Sequence, residues 1–454
     1  MSRRCWTRTY KPFATLVAAL TFLLVPAGAE TTAEQYRIYT GAPRLFLRPQ
    51  RLRLLRRERE RQSSRWAQLD ALVSGGVPLR EPGFALALEY AASGDKALGR
   101  RAVDWALSHP QYVRQAALVY DWCRLLLSDG ERTTLAGQLR GALTGGTSVG
   151  AVRDRVLAAI SLADDAPEAS ARALQEVIEH WWRERTAPGL RTGDVSFTQA
   201  ELYPLYEIIH AIRDNLNIDL REDAAKYFKP LPLWYVASFY PAPYEASANE
   251  IEIPAWSGGG EPDLARAAMA RAAGLAIVAS DTNATETQYA QGFLMQDRFE
   301  MRDALGAPYE FLWANPYQPG LAYALLPPVY YDARHGALFA RSSWDDDARW
   351  FGVVGGQYQL FEDGRVKLLE LGASAGAPKP IEVGPAEVVQ WRAGLKVDAG
   401  EETLFMVGGV AGTRYNVEVE DEELAEVDAD RAGTVRVEVG SDWHPLVYVN
   451  QAGR

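Results

Sequence analysis

The sequence predicts an α+β protein of more than one domain, in which helical hairpins are followed by an antiparallel β-sandwich. Three observations carry this. Apolar residues recur at helical spacing from Pro49 to about Ala304, and short apolar runs bounded by turn residues take over from about Tyr323. Both regions follow an N-terminal segment patterned for export. The expected boundaries are a signal peptide over 1–29, a helical domain over 30–310 and a β-sandwich domain over 311–454.

The export signal begins with Arg3, Arg4, Arg8 and Lys11, continues through an uncharged run from Phe13 to Val25, and ends in Ala27-Gly28-Ala29. Cleavage is expected after Ala29, giving a secreted or periplasmic protein. The apolar run is too short to span a bilayer comfortably and no second candidate follows, so no stable membrane anchor is expected after cleavage.

In the helical region, turns such as Ser93-Gly94-Asp95, Ser128-Asp129-Gly130 and Gly145-Gly146 break the apolar periodicity into hairpins. Pro49 suits a first helical turn, and Leu52, Leu55, Trp66, Leu69 and Leu72 supply apolar positions for one or two early helices. The run from Arg51 to Arg61 mixes arginine with glutamate, which predicts a solvated helix face rather than a polyanion site. The change of texture falls at Asn315-Pro316-Tyr317-Gln318-Pro319-Gly320.

Beyond it, Val329–Tyr331 and Ala337–Ala340 read as strands joined by the turn Asp332 to Gly336. Further strands are expected near Trp350–Val354, Tyr358–Phe361, Val366–Leu371, Glu387–Trp391, Leu404–Val407, Tyr415–Val419, Val435–Val439 and Leu446–Val449. The acidic stretch from Glu418 to Asp430 predicts a solvated hairpin edge, and Asp345 to Asp347 a polar turn.

Composition narrows the function classes. Removing the signal removes four positive charges and takes the formal charge from -11 to -15, a poor match to nucleic acid or an anionic membrane. Only Cys123 survives cleavage, so no intramolecular disulfide forms. The five histidines show no zinc spacing, there is no phosphate-binding glycine loop or Gly-x-Ser-x-Gly elbow, and no cofactor is expected. Many of the 13 Trp and 21 Tyr belong to the core, since each buries a large area, and a surplus is what a sugar-binding cleft needs, because pyranose C–H faces stack on flat rings.

Three segments in order carry a resemblance. They are Ala117-Leu-Val-Tyr120-Asp121-Trp122 with Ser128 and Glu131-Arg132, the run Asp194 to Leu220 with Phe197, Gln199, Tyr203 and Tyr206, and Gly336-Ala-Leu-Phe-Ala-Arg341-Ser-Ser-Trp344-Asp-Asp346. Together they resemble the heparinase II/III-like polysaccharide lyases. That resemblance implies an incomplete (α/α) toroid facing a β-sandwich, and β-elimination at a uronic acid of an acidic polysaccharide. The reaction needs a group that neutralises the uronate carboxylate, a base for the C5 proton and an acid for the leaving oxygen.

Tyr203 occupies the place of the family's tyrosine. On a helix, Tyr203, Tyr206 and His210 fall at i, i+3 and i+7 and share a face. Glu207 on that face would raise, not lower, the tyrosine pKa. The family's Asn and His correspond here to Gly146 to Arg153, which leaves Arg153 as the candidate neutraliser. The family's His-x-His loop of the sandwich is absent, since Gly355-Gly356 runs directly into Gln357. The catalytic candidates are therefore Tyr203, Tyr206, His210 and Arg153, and the substrate-binding candidates Gln199, Trp256 and Tyr244.

Losing one preorganised electrostatic group typically costs on the order of a hundredfold to a thousandfold in rate. The expectation is an exported lyase-like protein with weak or absent turnover, acting on or binding a polysaccharide or oligosaccharide. A non-catalytic glycan-binding scaffold is the alternative. A glycoside hydrolase using Glu201, Glu245, Glu250 or Glu252 is a third reading, which requires two opposed carboxylates in the cleft.

Overall fold

The computed structural model describes residues 33–247, 249–257, 262–370, 379–400, 402–420, 423–439 and 446–452. The expected signal peptide and its cleavage point lie outside these residues. Among the described residues no helix is long and apolar enough to cross a membrane.

Helices form the first part of the chain: α1 (Pro49–Glu60), α2 (Ser64–Ser74), α3 (Pro82–Ser93), α4 (Lys96–Ser108), α5 (Val113–Trp122) and α6 (Asp129–Arg140). They continue as α7 (Val149–Ser161), α8 (Pro167–Gln175), α9 (Ala187–Thr192), α10 (Gln199–Leu216), α11 (Ala225–Phe228) and α12 (Leu231–Ala237). A two-stranded ribbon, β1 (Tyr244–Glu245) with β2 (Glu250–Ile251), precedes α13 (Leu264–Ser280), α14 (Thr285–Leu294) and α15 (Ala307–Trp313).

Prolines open α1, α3, α8 and α15, where a missing N–H costs nothing. Ser128 caps α6 in a reciprocal box, its hydroxyl accepting from the Glu131 N–H while the Glu131 carboxylate accepts from the Ser128 N–H at 2.9 Å.

Helices α3, α5, α7, α10 and α13 pack side by side in succession, and the short α15 packs between α13 and α3. These form the inner ring of a helical toroid, with α4, α6 and α8 packed outside it. Phe84, Tyr120, Trp182, Tyr203 and Tyr206 are among the large side chains buried within.

Among the described residues thirteen strands follow, in three stacked sheets. The first is an antiparallel meander of β3 (Val329–Asp332), β4 (Ala337–Arg341), β5 (Trp350–Val354), β6 (Gln357–Glu362) and β7 (Arg365–Leu369). The remaining strands are β8 (Ile381–Val383), β9 (Ala386–Gln390), β10 (Leu395–Asp398), β11 (Thr403–Val407), β12 (Arg414–Val419), β13 (Glu423–Asp428), β14 (Val435–Glu438) and β15 (Leu446–Gln451). The second sheet has the order β14-β11-β9-β8 and the third β10-β15-β12-β13. One pairing departs from the antiparallel expectation, because β9 and β11 run parallel.

Alternation along β4 places the layers. Leu338 and Ala340 face the second sheet with Val388 and Phe405, whereas Phe339 faces the toroid with Ala237, Tyr240 and Trp350. Buried on both sides, β4 is apolar throughout its interior. Glu423–Asp428 forms an edge strand whose partner Arg414 reaches across to Glu426 and Asp428, in keeping with a solvated edge. Asp346 binds Arg298 at 3.0 Å in the turn after β4, and among the described residues no acidic or histidine cluster is arranged to hold a metal ion.

Candidate functional site

The toroid and the first sheet leave a cleft of about 780 Å³ between them. Its helical bank is the N-terminal end of α10 with the α11–α12 region. Thr198 holds that end in place, its N–H donating to the Glu201 carboxylate at 3.0 Å, and Gln199 then donates from Nε2 to the Ser238 hydroxyl at 2.7 Å. Tyr227 and Trp234 supply the aromatic surface beside them.

The opposite bank is built by two turns of the meander. Gly355 and Gly356 join β5 to β6 with φ of 56° and 79°, the left-handed pair that a two-residue hairpin needs, and the tip abuts Ser257 beside Trp256. The apparent loop deletion in the sequence is thus a tight hairpin at the rim of the cleft. The β3–β4 turn contributes Asp332 and His335, whose Nδ1 lies 2.8 Å from Asp332 Oδ2 and whose Nε2 lies 3.2 Å from the Leu190 carbonyl. Burial alone would raise the Asp332 carboxyl. The hydrogen bond and charge of His335, with the N–H groups of Arg334 and His335, outweigh it and hold the pKa below the ordinary carboxylate value.

A second cluster closes the toroid, where the N-terminal portions of α3, α5, α7, α10 and α15 converge. Arg114 is its hub. Its Nε donates to Glu207 at 2.7 Å, one terminal nitrogen to Glu81 at 3.0 Å and the other to the Tyr203 hydroxyl at 3.3 Å. Trp313 also donates to that hydroxyl at 3.1 Å, and Tyr309 donates to Glu81. Arg153 approaches the far Glu207 oxygen at 3.6 Å while bonding Asp154 at 2.7 Å.

These positions locate every candidate named from the sequence. Gln199 and Trp256 line the cleft, on opposite banks. Tyr203 and Arg153 meet in the second cluster through Glu207, but Tyr203 is only 1% exposed. Burial, followed by the Glu207 charge, holds its pKa well above 10, which is the reverse of what a general base requires. Tyr206 packs in the core against Phe228, with its pKa raised by burial.

His210 is also in the core. Its Nδ1 accepts from Arg213 at 3.0 Å and its Nε2–H donates to the Ala276 carbonyl at 2.8 Å. Burial, followed by the Arg213 charge, pushes its pKa down to about 3. The shared face of Tyr203, Tyr206 and His210 is therefore a packing face. Tyr244 stands on the β1–β2 ribbon, exposed, and is not part of the cleft lining.

Sequence reasoning passed over Arg114, Glu81, Tyr309, Asp332 and His335. An arginine inside the apolar run of α5 and an Asp-x-x-His within a hairpin turn were the available signals.

No family profile matches the chain, and no curated protein matches it. Among solved structures, one titled simply as a glycoside hydrolase aligns with 82% of this chain and 71% of its own, at 8% identity and a TM-score of 0.29.

Proposed function

We propose that this is an exported carbohydrate-active protein that holds an oligosaccharide in the cleft between toroid and sheet, and that its activity is binding rather than β-elimination. The observation that carries this reading is the pairing of a roomy cleft, with aromatic rings on both banks, and a tyrosine hydroxyl sealed away from it. Trp234, Trp256 and Tyr330 offer faces for sugar rings, while Gln199 and the Asp332 carboxylate, held in place by His335, offer directional hydrogen bonds. Arg266 and Arg431 also line the cleft. Arg431 is held by Asp194, whereas the Arg266 side chain has no ion-pair partner among the described residues. That balance suits a sugar bearing a carboxylate better than the charge of the whole chain suggests.

The lyase alternative draws on one feature, the cation beside Tyr203. Arg114 is within hydrogen-bond reach of the hydroxyl, yet its charge is already matched by Glu207 and Glu81. A uronate would have to displace both.

The test is calorimetric titration with uronate-containing and neutral oligosaccharides, run beside ultraviolet detection of unsaturated sugar ends. Trp256→Ala is expected to weaken binding by about tenfold, as for loss of an aromatic anchor. Tyr203→Phe should leave binding unchanged, with no unsaturated ends formed by either protein. Turnover by the wild type that disappears in Tyr203→Phe would replace this reading with the lyase one.

A further inference from the structure

The sequence of α1 mixes charge signs, but the fold separates them. Glu58 turns inward and pairs with Arg65 at 3.4 Å. Four of the arginines from 51 to 61 have aromatic or carbonyl partners: Arg51 donates to the Trp313 carbonyl, Arg59 to the Ser93 carbonyl, and Arg57 and Arg61 lie over the Tyr317 ring. Arg53 and Arg56 differ. Both are exposed, neither makes a side-chain hydrogen bond or ion pair among the described residues, and both line the same groove.

That groove, of about 470 Å³, runs between the Thr40–Arg44 loop and the first turns of α1. Among the described residues its lining contains Arg44, Arg48, Arg53 and Arg56 and no carboxylate. Arg44 is the deepest of the four, only 3% exposed. Its Nε donates to the Thr40 carbonyl at 2.7 Å and its Nη2 to Asp164 at 2.6 Å, while its Nη1 has no partner among the described residues. Arg48 reaches the Asp214 carbonyl and also stands at the N-cap of α1, where no side chain caps the helix. A buried guanidinium nitrogen without an acceptor, two free arginines three residues apart and an uncapped helix N-terminus all call for the same chemistry.

We infer that this groove is an oxyanion site, taking a sulfate, phosphate or carboxylate group either as a free ion or as a substituent on an acidic glycan. Guanidinium forks bind such groups in a bidentate manner, and a body otherwise this acidic has no non-specific reason to hold them. The site is built by α1 and the loop before it and does not depend on the cleft being a sugar site.

The experiment is titration calorimetry at low ionic strength with inorganic sulfate, a sulfated oligosaccharide and its neutral counterpart. The proteins are the wild type, Arg53→Ala/Arg56→Ala and Trp256→Ala, each with folding checked by circular dichroism. Wild type is expected to bind the sulfated ligand and not the neutral one at this site, with the double variant weakened at least about tenfold and Trp256→Ala unaffected there. Binding of sulfate alone at the same site, lost in the double variant, identifies a free ion as the occupant and supports the site. Equal binding by wild type and the double variant overturns it, as does a wild type that binds neither anion. A loss confined to Trp256→Ala, with the double variant binding as wild type does, places the bound anion in the cleft and likewise overturns the groove assignment.

Discussion

At the scale of single residues, the molecule is governed by charges it has buried. Arg114 lies against the rings of Phe84, Tyr203 and Tyr309 while satisfying Glu207 and Glu81, so its removal leaves the fully buried Glu207 without its principal cation. Arg114→Met is therefore expected to cost about 3–5 kcal/mol in urea unfolding, and adding Glu207→Gln should recover part of that loss. Strictly additive losses would show that the pair is not coupled.

His210 makes the opposite choice and stays neutral. Its folded pKa of about 3 lies below the ordinary value of 6.5, so between those limits the unfolded chain binds a proton that the folded chain refuses. Stability from this residue is complete above pH 6.5 and is lost as pH falls toward 3. The urea midpoint of wild type should decline over that window more steeply than that of His210→Gln, and parallel profiles would refute the assignment. Neither role was legible beforehand, because helical spacing places Tyr203, Tyr206 and His210 on one face without saying whether that face meets solvent or core.

At the scale of elements, sequence legibility followed the strength of the local pattern. The strands at Val329–Asp332, Ala337–Arg341 and Trp350–Val354 fall within a residue of expectation, since each is an apolar run ended by turn chemistry. Ile381–Val383 and Leu395–Asp398 carry no such signal. They are short or alternate with charges, so their pairing is dictated by neighbouring strands and not by their own composition. Ser128 marks a break between helices, but Asp129 and Gly130 already form the first turn of α6, the helix start that Ser128 with Glu131 encodes.

The end of α9 and the segment after it clamp the two parts of the molecule at one end of the cleft, and no local pattern announces it. His335 reaches the Leu190 carbonyl, and Arg431 reaches both the Thr192 carbonyl and Asp194. Between them Gly193 has φ of 82°, and a Cβ there would lie 2.2 Å from the Arg334 carbonyl oxygen. Gly193→Ala is expected to destabilise the fold by about 1–3 kcal/mol and to weaken ligand binding in the cleft, read by urea unfolding and calorimetry. Unchanged binding would show that the clamp does not shape the cleft.

At the scale of the whole molecule, the chain stacks four layers, the toroid and three sheets, with an apolar seam at each junction. The seam between toroid and first sheet decides whether the cleft has two fixed banks. Trp350 sits at its centre, stacked on Phe339 at 5.7 Å, edge-on to Tyr240 at 5.2 Å, and donating from its indole to the Ala237 carbonyl at 3.0 Å. Arg341 crosses the same seam to the Phe239 carbonyl at 2.9 Å. A seam this apolar and this hydrogen-bonded couples the unfolding of the helical part to that of the first sheet. Wild type should therefore lose helical circular dichroism and tryptophan fluorescence in coincident urea transitions. Trp350→Ala, which removes a fully buried ring at an expected cost of about 3–5 kcal/mol, should pull the two transitions apart. Separate transitions already present in the wild type would mean that the banks move independently, and a ligand held between them would then have to order the junction as it binds.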